Sequence, residues 1–591
     1  MNTSMNYALG DRKNKNRKGI SARALKMMAP LLAGEKANIA LAIFAALVWA
    51  AAALLDPIII GRAVDVYIKN GDYRGVAVCL WQLLAVYLVI LIASYVQTIA
   101  LGGTGRRALF NLRNILFNKL QELPLAFFNQ NKSGDLISRV NNDTDKLNQF
   151  IGQALMQLMR SFFIVAGAGI FLVLLNPRLG AAALIPAAVV LIATRLFGPW
   201  VERANLKSLQ TTGKMSSEIQ ESLANFKVVA AFNRLDYFRD KFNGVNANNF
   251  SAAVKAGIAS NVFVPIYGVA SILAQMIVLG YGIYLIGAGD FTIGLLIGYL
   301  LYVNSFYGPL RQLATVWPTL QLAFAAIERI SEVLALKSDM KIVENRFGRD
   351  KTDLRLEFRN VSFTYLDGKT VLEKVNLKLK KGKTYALVGP TGGGKTTTAS
   401  LMARIYDASE GAILFEGKDI RSYSPEVRAR RIGFILQEPL LFTGTIRDNI
   451  VYGNPYYIDC ADEQLATALE DAGLSGLLAR FGQGLKTKIV GDGDTISLGQ
   501  KQLIAFIRAV LRKPDLLILD EATANIDTVT EQLLEEIIGK LPENTTKVII
   551  AHRLNTIVNA DEIYFVNAGT ITLAGSMEQA VRMLTGRKRA S

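Results

Sequence analysis

Six long apolar stretches, separated by polar loops, make up most of the first half of this 591-residue chain. They cover residues 37–60, 76–102, 155–175, 179–196, 261–286 and 293–316. A helix that crosses a bilayer needs roughly 17–25 predominantly apolar residues, and each stretch reaches that length. One or two such stretches are compatible with buried helices of a soluble protein, whereas six in succession predict a membrane domain of six long helices.

The polar loops between these stretches alternate in length and differ in charge. Those after the second and fourth stretches are long, keep helical spacing and are rich in Lys and Arg, whereas the loop after the fifth has no basic residue. The loop after the first stretch carries Arg62, Lys69 and Arg74, so the bias is not absolute. Because basic loops stay on the cytoplasmic side, we expect a multi-pass protein of the inner (cytoplasmic) membrane with both termini in the cytoplasm. The basic N-terminus lacks the apolar core and cleavage site of a signal peptide.

The second half of the chain has the pattern of an α/β domain, with short apolar runs of strand length between helix-like stretches. The run 383–388 leads directly into a glycine-rich loop, and residues 397–406 after it can form a helix. This strand–loop–helix context is the one that the phosphate-binding pattern G-x-x-x-x-G-K-[ST] requires. The matching residues are Gly389, Pro390, Thr391, Gly392, Gly393, Gly394, Lys395 and Thr396.

The chemistry of this loop predicts an ATP site. Glycines let backbone N–H groups approach the phosphates, and the helix that follows adds positive potential at its N-terminus. Lys395 is expected to reach the β- and γ-phosphates, and the Thr396 hydroxyl to bind Mg²⁺. Thr397 completes the set of loop residues that we place around the nucleotide.

A second apolar run, 516–519, ends in two carboxylates, Asp520 and Glu521. A strand end can carry acids merely because it meets water, but this run follows a phosphate loop at an interval typical of the Walker B motif. Asp520 is expected to hold Mg²⁺, directly or through water. Glu521 is expected to act as general base toward the water that attacks the γ-phosphate.

Charge and cysteine content narrow the choice of partners. A net charge of +17 first suggests nucleic acid. The basic residues flank apolar stretches, however, and this distribution suits anionic lipid headgroups better. We therefore expect a lipid bilayer as a partner and no nucleic acid. Cys79 and Cys460 are the only cysteines and lie far apart in the sequence, so neither a disulfide framework nor a Cys-rich metal site is expected.

Several further motifs appear in an order that resembles the ATP-binding-cassette (ABC) exporters of type I (type IV fold), from about residue 25 to about residue 580. The stretch 496–500 is similar to the family's Leu-Ser-Gly-Gly-Gln signature, although Ile496 and Leu498 depart from its common form. Asp492 stands where the family's X-loop usually has Glu. The two long loops resemble intracellular helices that carry the short coupling helices of such exporters. Gln437, Asp527 and His552 stand at the positions of the Q-loop, the D-loop and the switch histidine.

The resemblance implies a role for each of these residues. Tyr365 would stack on adenine, and Gln437 would meet Mg²⁺ or the attacking water. His552, the only histidine in the chain, would contact the γ-phosphate and orient that water. Asp527 would lie at an interface with a second subunit. The residues that would bind the γ-phosphate of ATP held by that subunit are Ser497, Leu498, Gly499 and Gln500.

The implied fold class is an α-helical transmembrane domain of six long helices fused to an α/β P-loop nucleotide-binding domain. We divide the chain into a basic cytoplasmic N-terminal segment (1–26), a transmembrane domain with two long intracellular loops (27–335), a linker (336–353) and a nucleotide-binding ATPase domain (354–591). One phosphate loop and six helices are half of the family's usual complement, so the resemblance implies a dimer of half-transporters. Homodimer and heterodimer both stay open: Glu521 and His552 are retained, whereas the altered signature mildly favours a heterodimer.

The apolar stretches contain a few polar residues and several aromatic residues, which give information on the chemistry of the transported substrate. Intramembrane ionisable residues usually face a cavity or a partner. We expect ATP-driven export of a small amphipathic substrate (drug-like, lipid-like or peptide) by alternating access. An ATP-gated channel and a lipid flippase on the same fold are the alternatives. The polar points are Arg160, Gln97, Gln275 and Asn304, and the aromatic residues that either line a cavity or face lipid include Phe162, Phe163, Tyr302 and Phe306.

Overall fold

The structure is a computed structural model that describes residues 7–9, 33–348, 352–365, 368–490, 496–520, 528–550, 560–575 and 577–585. The chain divides into two compact units. The helical unit comprises Arg12–Gln121 and Ser133–Ala335, and the second unit comprises Met1–Asp11, Glu122–Lys132 and Leu336–Ser591. Six long apolar helical spans are followed by an α/β domain, which confirms the predicted fold class.

Each of the six apolar stretches lies within a helical span long enough to cross a membrane. The helices continue through the basic loops, so the longest spans exceed forty residues. The spans are Lys36–Ile68, Tyr73–Gln121, Ser133–Leu175, Pro177–Ala224, Leu235–Gly287 and Ile293–Leu334.

The described residues between 33 and 335 form twelve α-helices, which are joined in places by π-helical turns at Ala63–Ile68, Arg139–Asp143 and Phe150–Ala154. The helices are α1 (Lys36–Ala53), α2 (Asp56–Arg62), α3 (Tyr73–Gln121), α4 (Leu125–Gln130), α5 (Ser133–Ser138), α6 (Thr144–Gln149), α7 (Leu155–Leu175), α8 (Pro177–Ala224), α9 (Phe226–Ala231), α10 (Leu235–Asn261), α11 (Phe263–Gly287) and α12 (Ile293–Leu334).

Helix α12 packs at the centre of the helical unit through three buried tyrosines. The hydroxyl of Tyr299 donates to a carbonyl of α7, and that of Tyr307 donates to a carbonyl of α8, 2.8 Å away. Tyr302 donates to the Leu54 carbonyl at 2.7 Å and stacks on Phe171. Tyr302 is therefore a packing residue of the helical unit, whereas Phe162 is largely exposed. A buried tyrosine needs such a partner because an unpaired hydroxyl in an apolar interior is costly.

The first and sixth spans approach so closely that only glycine fits between them. A Cβ on Gly61 would lie 2.8 Å from the Gly294 carbonyl oxygen, and a Cβ on Gly298 would lie 2.8 Å from that of Pro57. Asp65 accepts a hydrogen bond from the backbone N–H of Gly294 at 2.7 Å. Small residues at helix crossings allow this backbone contact in membrane proteins.

Charged residues of the first long loop are held by the C-terminal part of α12. Arg139 is 4% exposed, and its guanidinium contacts Asp135 and Glu332, each at 2.9 Å. Arg329 of α12 lies 3.2 Å from Asp143, which is fully buried. Paired burial of this kind offsets the cost of removing charges from water, so these loop residues bind helices together within the helical unit.

The second unit is built on a six-stranded sheet in the order β12-β11-β3-β10-β9-β6 and a four-stranded antiparallel sheet in the order β2-β1-β4-β5. In the larger sheet β11, β3, β10, β9 and β6 are parallel. The strands are β1 (Leu354–Thr364), β2 (Thr370–Lys380), β3 (Thr384–Val388), β4 (Glu410–Phe415), β5 (Lys418–Asp419), β6 (Ile432–Ile435), β7 (Gly444–Thr445), β8 (Lys488–Ile489), β9 (Leu516–Asp520), β10 (Thr546–Ile550), β11 (Glu562–Asn567) and β12 (Thr570–Leu573).

Helices cover this sheet, and the apolar core lies between them and the strands. Strand β9 is buried at every position, as expected for a central parallel strand. The described helices are α13 (Lys395–Met402), α14 (Pro425–Arg431), α15 (Ile446–Val451), α16 (Asp462–Asp471), α17 (Ser475–Leu478), α18 (Leu498–Val510), α19 (Thr528–Gly539) and α20 (Met577–Thr585).

Helix α4 and residues 7–9 belong to the second unit although both stand apart from it in sequence. Tyr7 is 1% exposed, and its ring packs edge-on against Phe127 of α4. Its backbone N–H donates to the Gln130 side chain at 2.9 Å, and its hydroxyl accepts from the backbone N–H of Asp339 at 3.0 Å. Tyr7 thus joins α4 to the start of the segment that leads into β1.

Candidate functional site

The carboxyl ends of four parallel strands meet at one edge of the six-stranded sheet. The register pairs Leu387 of β3 with Ile550 of β10, and Ile550 with Asp520 of β9. Ile435 of β6 lies beside Leu519 of β9. The phosphate-binding loop follows β3, and Asp520 ends β9. Open α/β sheets bind ligands at this edge, so the fold gathers motifs that are far apart in sequence.

The backbone of the phosphate-binding loop takes conformations that require glycine. Gly389, Gly392 and Gly394 have φ angles of 151°, 79° and 109°. A Cβ on Gly389 would lie 2.0 Å from the Val566 carbonyl oxygen of the neighbouring strand. Gly394 is the residue before α13, so the loop delivers its N–H groups to the N-terminus of that helix. This is a geometry that suits an anion.

Lys395, Thr396 and Asp520 come together below the loop. Lys395 is 6% exposed, and its ammonium donates to the carbonyls of Gly389 at 2.8 Å and Pro390 at 3.1 Å. The Thr396 hydroxyl lies 3.4 Å from a carboxylate oxygen of Asp520, which is 1% exposed. A hydroxyl and a carboxylate oxygen are hard ligands of the type that Mg²⁺ prefers, so these two residues fit the predicted metal.

Tyr365 lies beside the loop helix. Its hydroxyl is 3.1 Å from that of Thr397, and its ring packs edge-on against Phe363 and Tyr406. The Tyr406 hydroxyl in turn accepts a hydrogen bond from the Asn129 side chain of α4 at 2.7 Å. Sequence reasoning did not identify Tyr406 or Asn129, because neither belongs to a nucleotide motif.

Gln437 is exposed two residues beyond the end of β6, next to the strand that carries Asp520. Its backbone carbonyl accepts a hydrogen bond from the Gln502 side chain of α18 at 3.4 Å. Topology therefore places Gln437 at the correct sheet edge. Glu521, Asp527, His552 and Asp492 lie outside the described residues.

The signature stretch forms the start of the 13-residue helix α18. The Ser497 hydroxyl accepts from the backbone N–H of Gln500 at 3.2 Å, and the Gln500 side chain accepts from the Ser497 N–H at 3.1 Å. This reciprocal capping box satisfies two backbone donors of the helix N-terminus. Leu498 is exposed and Gly499 is half-buried, so the first turn of α18 is accessible at the surface of the domain.

The polar points of the apolar stretches form two pairs. The Arg160 guanidinium donates to the Gln97 side chain at 2.5 Å and to the Ser94 hydroxyl at 2.7 Å. It also lies 5.3 Å from the ring centre of Trp49. The Gln275 amide donates to Asn304 at 2.9 Å. Sequence reasoning named the members of both pairs but not the pairing.

Sequence reasoning overlooked Asp56, the only carboxylate within the six apolar stretches. A count of acidic residues in those stretches would have identified it. Asp56 begins α2, after the first span breaks at Leu54 and Leu55. One of its oxygens interacts with the hydroxyl of Tyr87 on α3.

Comparison with known protein families gives two matches along the chain. The family model described as the ABC transporter transmembrane region matches residues 39–310, and that described as ABC transporter matches residues 372–524. The first covers the first five spans, apart from three residues at the start, and the first 18 residues of the sixth. The second covers the phosphate-binding loop, the signature stretch and Asp520.

Known proteins of similar sequence cover nearly the whole chain. The ABC transporter ATP-binding protein YfiC of Bacillus subtilis is 32% identical over 94% of this chain and 92% of its own length. A fatty acid ABC transporter ATP-binding/permease protein of Mycobacterium bovis is 33% identical over 85% and 79%. A multidrug resistance ABC transporter ATP-binding and permease protein of Lactococcus lactis is 32% identical over 84% of both chains.

These matches cover both the helical spans and the α/β domain. Six spans and an ATPase domain occur on one chain, and relatives with the same arrangement align along most of their length. Export of a substrate is the work of such chains, and hydrolysis of ATP is coupled to it. The chain is thus a multi-pass membrane protein of the ABC transporter family, an exporter half-transporter in which six membrane helices are fused to one nucleotide-binding domain.

Proposed function

We propose that this chain works as one half of a dimer that exports a small amphipathic substrate across the inner (cytoplasmic) membrane by alternating access. Closure of two ATPase domains on ATP favours an outward-open bundle, and hydrolysis releases it. ATP acts by binding the closed state better than the open one. Both termini and the ATPase domain lie in the cytoplasm in this proposal, as the basic loops indicate.

One observation carries the proposal of a dimer. The N-terminus of α18 is capped by Ser497 and Gln500, and Ser497 and Leu498 are exposed. A helix N-terminus of this length attracts phosphate through its backbone N–H groups and its dipole. Such a surface can bind the γ-phosphate of an ATP molecule that is held by a second subunit. Ser497, Leu498, Gly499 and Gln500 are therefore proposed to act in trans, and Asp527 to lie at the same interface.

The nucleotide site of each subunit is proposed to lie at the edge of the sheet where the parallel strands end. Lys395 binds the β- and γ-phosphates, and the loop residues 389–397 surround them. Mg²⁺ supplies charge stabilisation when bound, and Thr396, Asp520 and Gln437 hold it. Glu521 takes a proton from the attacking water, His552 orients that water, and Tyr365 stacks on adenine.

The names of two relatives support an amphipathic cargo. One is described as a fatty acid transporter and another as a multidrug resistance transporter, and both cargo classes combine apolar and polar parts. A channel would not need a competent hydrolysis site, whereas this chain retains Glu521 and His552. A lipid flippase stays the second candidate because lipids belong to the same class of cargo.

Reconstitution of the purified chain into liposomes tests the proposal. In liposomes whose ATPase domains face outward, we expect Mg²⁺ and ATP added to the outside to drive accumulation of a fluorescent amphiphile in the interior. Lys395→Ala is expected to abolish that accumulation, since it removes the ammonium that donates to the loop carbonyls of Gly389 and Pro390. An ATP-dependent ion conductance without accumulation would support the channel and contradict export. Activity only after a second subunit co-purifies would identify a heterodimer.

Tyr406 offers a separate test of whether the nucleotide site is coupled to α4. Tyr406→Ala removes the ring that supports Tyr365 as well as the hydroxyl bound by Asn129, so we expect a KM for ATP several-fold higher and faster hydrogen exchange in Leu125–Gln130. Tyr406→Phe keeps the ring and loses one hydrogen bond, worth about 1 kcal/mol. It should speed exchange in α4 and leave the KM close to its original value. Equal effects of both variants on the KM would contradict this division of roles.

A further inference from the structure

Asp56 is a carboxylate within the first membrane span, which also holds Asp65 near its end. Asp56 lies twelve residues before the end of that span at Ile68, or about 18 Å along a helix. Tyr87, its neighbour, lies eleven residues inside the second apolar stretch, which begins at residue 76. Asp56 and Tyr87 therefore both lie within the apolar, membrane-spanning part of the chain.

The local backbone explains how a carboxylate is held at this depth. Pro57 has no N–H, so the helix cannot continue its regular hydrogen bonding and breaks at Leu54 and Leu55. The carbonyl of Leu54 is satisfied by the Tyr302 hydroxyl at 2.7 Å. Asp56 then starts the next helical segment of the same span, and its carboxylate interacts with the hydroxyl of Tyr87.

The carboxylate of Asp56 is incompletely satisfied. Its Oδ1 is buried and has no hydrogen-bond partner among the described residues. The described residues also provide no Lys or Arg within 4.0 Å of it, whereas Arg160 is held elsewhere by Gln97 and Ser94. Asp56 as a whole is half-buried, but its buried Oδ1 gains from a counter-charge, because charge attraction is larger in a low-dielectric interior than in water.

The surroundings of Asp56 are aromatic. Tyr87 interacts with the carboxylate and is 53% exposed, and the Tyr302 hydroxyl donates to the carbonyl of Leu54, two residues before Asp56. Aromatic faces attract cations, and a carboxylate adds a full charge to that attraction. Ionisable residues inside membrane proteins face the bundle interior or a water-filled cavity rather than lipid. Because Tyr87 is partly exposed, the group lies at the surface of the helical unit, where a cargo molecule can approach it.

We propose that Asp56, with Tyr87 beside it, binds a positively charged nitrogen of the cargo within the membrane domain. This inference rests on the proposed export function and adds a substrate class to it: amphiphiles with a cationic headgroup. The binding step moves no proton and forms no covalent bond. It pairs the orphaned Oδ1 with an ammonium group whose apolar tail stays among the membrane helices.

Three amphiphiles with the same twelve-carbon tail and different headgroups test the inference. They are dodecyltrimethylammonium, dodecanol and dodecanoate, added below their micellar concentrations to the full chain in lipid, together with any subunit that co-purifies. The readout is the concentration that half-maximally stimulates ATP hydrolysis. We expect the cation to act at the lowest concentration. Asp56→Asn should raise that value by at least about tenfold for the cation, as loss of a buried ion pair implies, and should leave the value for dodecanol unchanged.

Two further variants separate charge recognition from folding. Asp56→Glu keeps the negative charge and is expected to keep the preference for the cation. Asp290→Asn removes an exposed carboxylate from the loop between the fifth and sixth spans and is expected to leave all three values unchanged. Each variant is compared by the yield and thermal unfolding of the purified protein.

The outcomes discriminate this inference from the export function itself. A preference for dodecanoate, or an equal shift of all three values in Asp56→Asn, would overturn the assignment of Asp56 while export of amphiphiles stands. A cation preference that survives in Asp56→Asn would do the same. If none of the three amphiphiles stimulated hydrolysis or was transported, the proposed export of amphipathic cargo would fail together with the inference.

Discussion

Replacement of Glu521 by glutamine is expected to lower ATP hydrolysis by about 10²–10⁴-fold while ATP binding persists, because a general base contributes a factor of that size. Gln is nearly isosteric with Glu but cannot accept the proton of the attacking water. The variant should therefore accumulate as a closed dimer with trapped ATP. Hydrolysis rates and retention of radiolabelled ATP after gel filtration measure the two effects separately.

Glu536 provides a matched control for this experiment. It lies on α19, is largely exposed and pairs with Lys540 in a surface ion pair. Exposed pairs contribute about 0–1 kcal/mol, so Glu536→Gln should hydrolyse ATP at the original rate. Near-normal hydrolysis in Glu521→Gln would show that another group accepts the proton. Loss of ATP binding in that variant would show that Glu521 supports the site rather than the chemistry.

Replacement of Asp520 by asparagine is expected to lower the maximal ATPase rate about a hundredfold or more and to raise the Mg²⁺ concentration needed for half-maximal activity. Asp520 is buried beside the Thr396 hydroxyl, and a bound metal ion supplies several kcal/mol of charge stabilisation at the transferring phosphoryl group. The neutral amide keeps the shape of the side chain and loses its charge. A Mg²⁺ titration of ATPase activity measures both changes.

Asp459→Asn is the control for loss of one negative charge from the same domain. Asp459 is exposed in a turn before α16, so neither the rate nor the Mg²⁺ requirement should change. An unchanged Mg²⁺ requirement in Asp520→Asn would contradict the proposed ligand. A variant that unfolds at a much lower temperature would instead assign Asp520 to the stability of the central sheet, and Thr396→Ala would then be used to examine the metal site.

Local patterns were sufficient to predict the two architectures. Long apolar runs define membrane helices because helix length must match bilayer thickness. The order of a strand, a glycine-rich loop and a helix defines the phosphate site, because glycine alone tolerates the φ angles of that loop. Both signals lie in contiguous residues, and the structure bears out both architectures.

Contacts between distant residues were not predictable in the same way. Tyr7 and Phe127 are more than a hundred residues apart, and nothing in either segment signals their contact. Arg160 and Gln97 were recognisable as polar points, but the bond between them depends on how two helices pack. Asp56 shows a different failure, since its signal was present and its significance became clear only from the buried oxygen that lacks a partner.

The sequence by itself determined that this protein has six membrane helices and an ATPase domain, because hydrophobic length and glycine-rich loops are properties of neighbouring residues. Only the tertiary structure decided which residues meet. It brought Thr396 to Asp520 through the parallel register of the sheet, joined α4 to Tyr406 by a hydrogen bond, and left one oxygen of Asp56 unpaired beside Tyr87. Such contacts depend on the packing of helices and strands from distant parts of the chain, which no local pattern encodes.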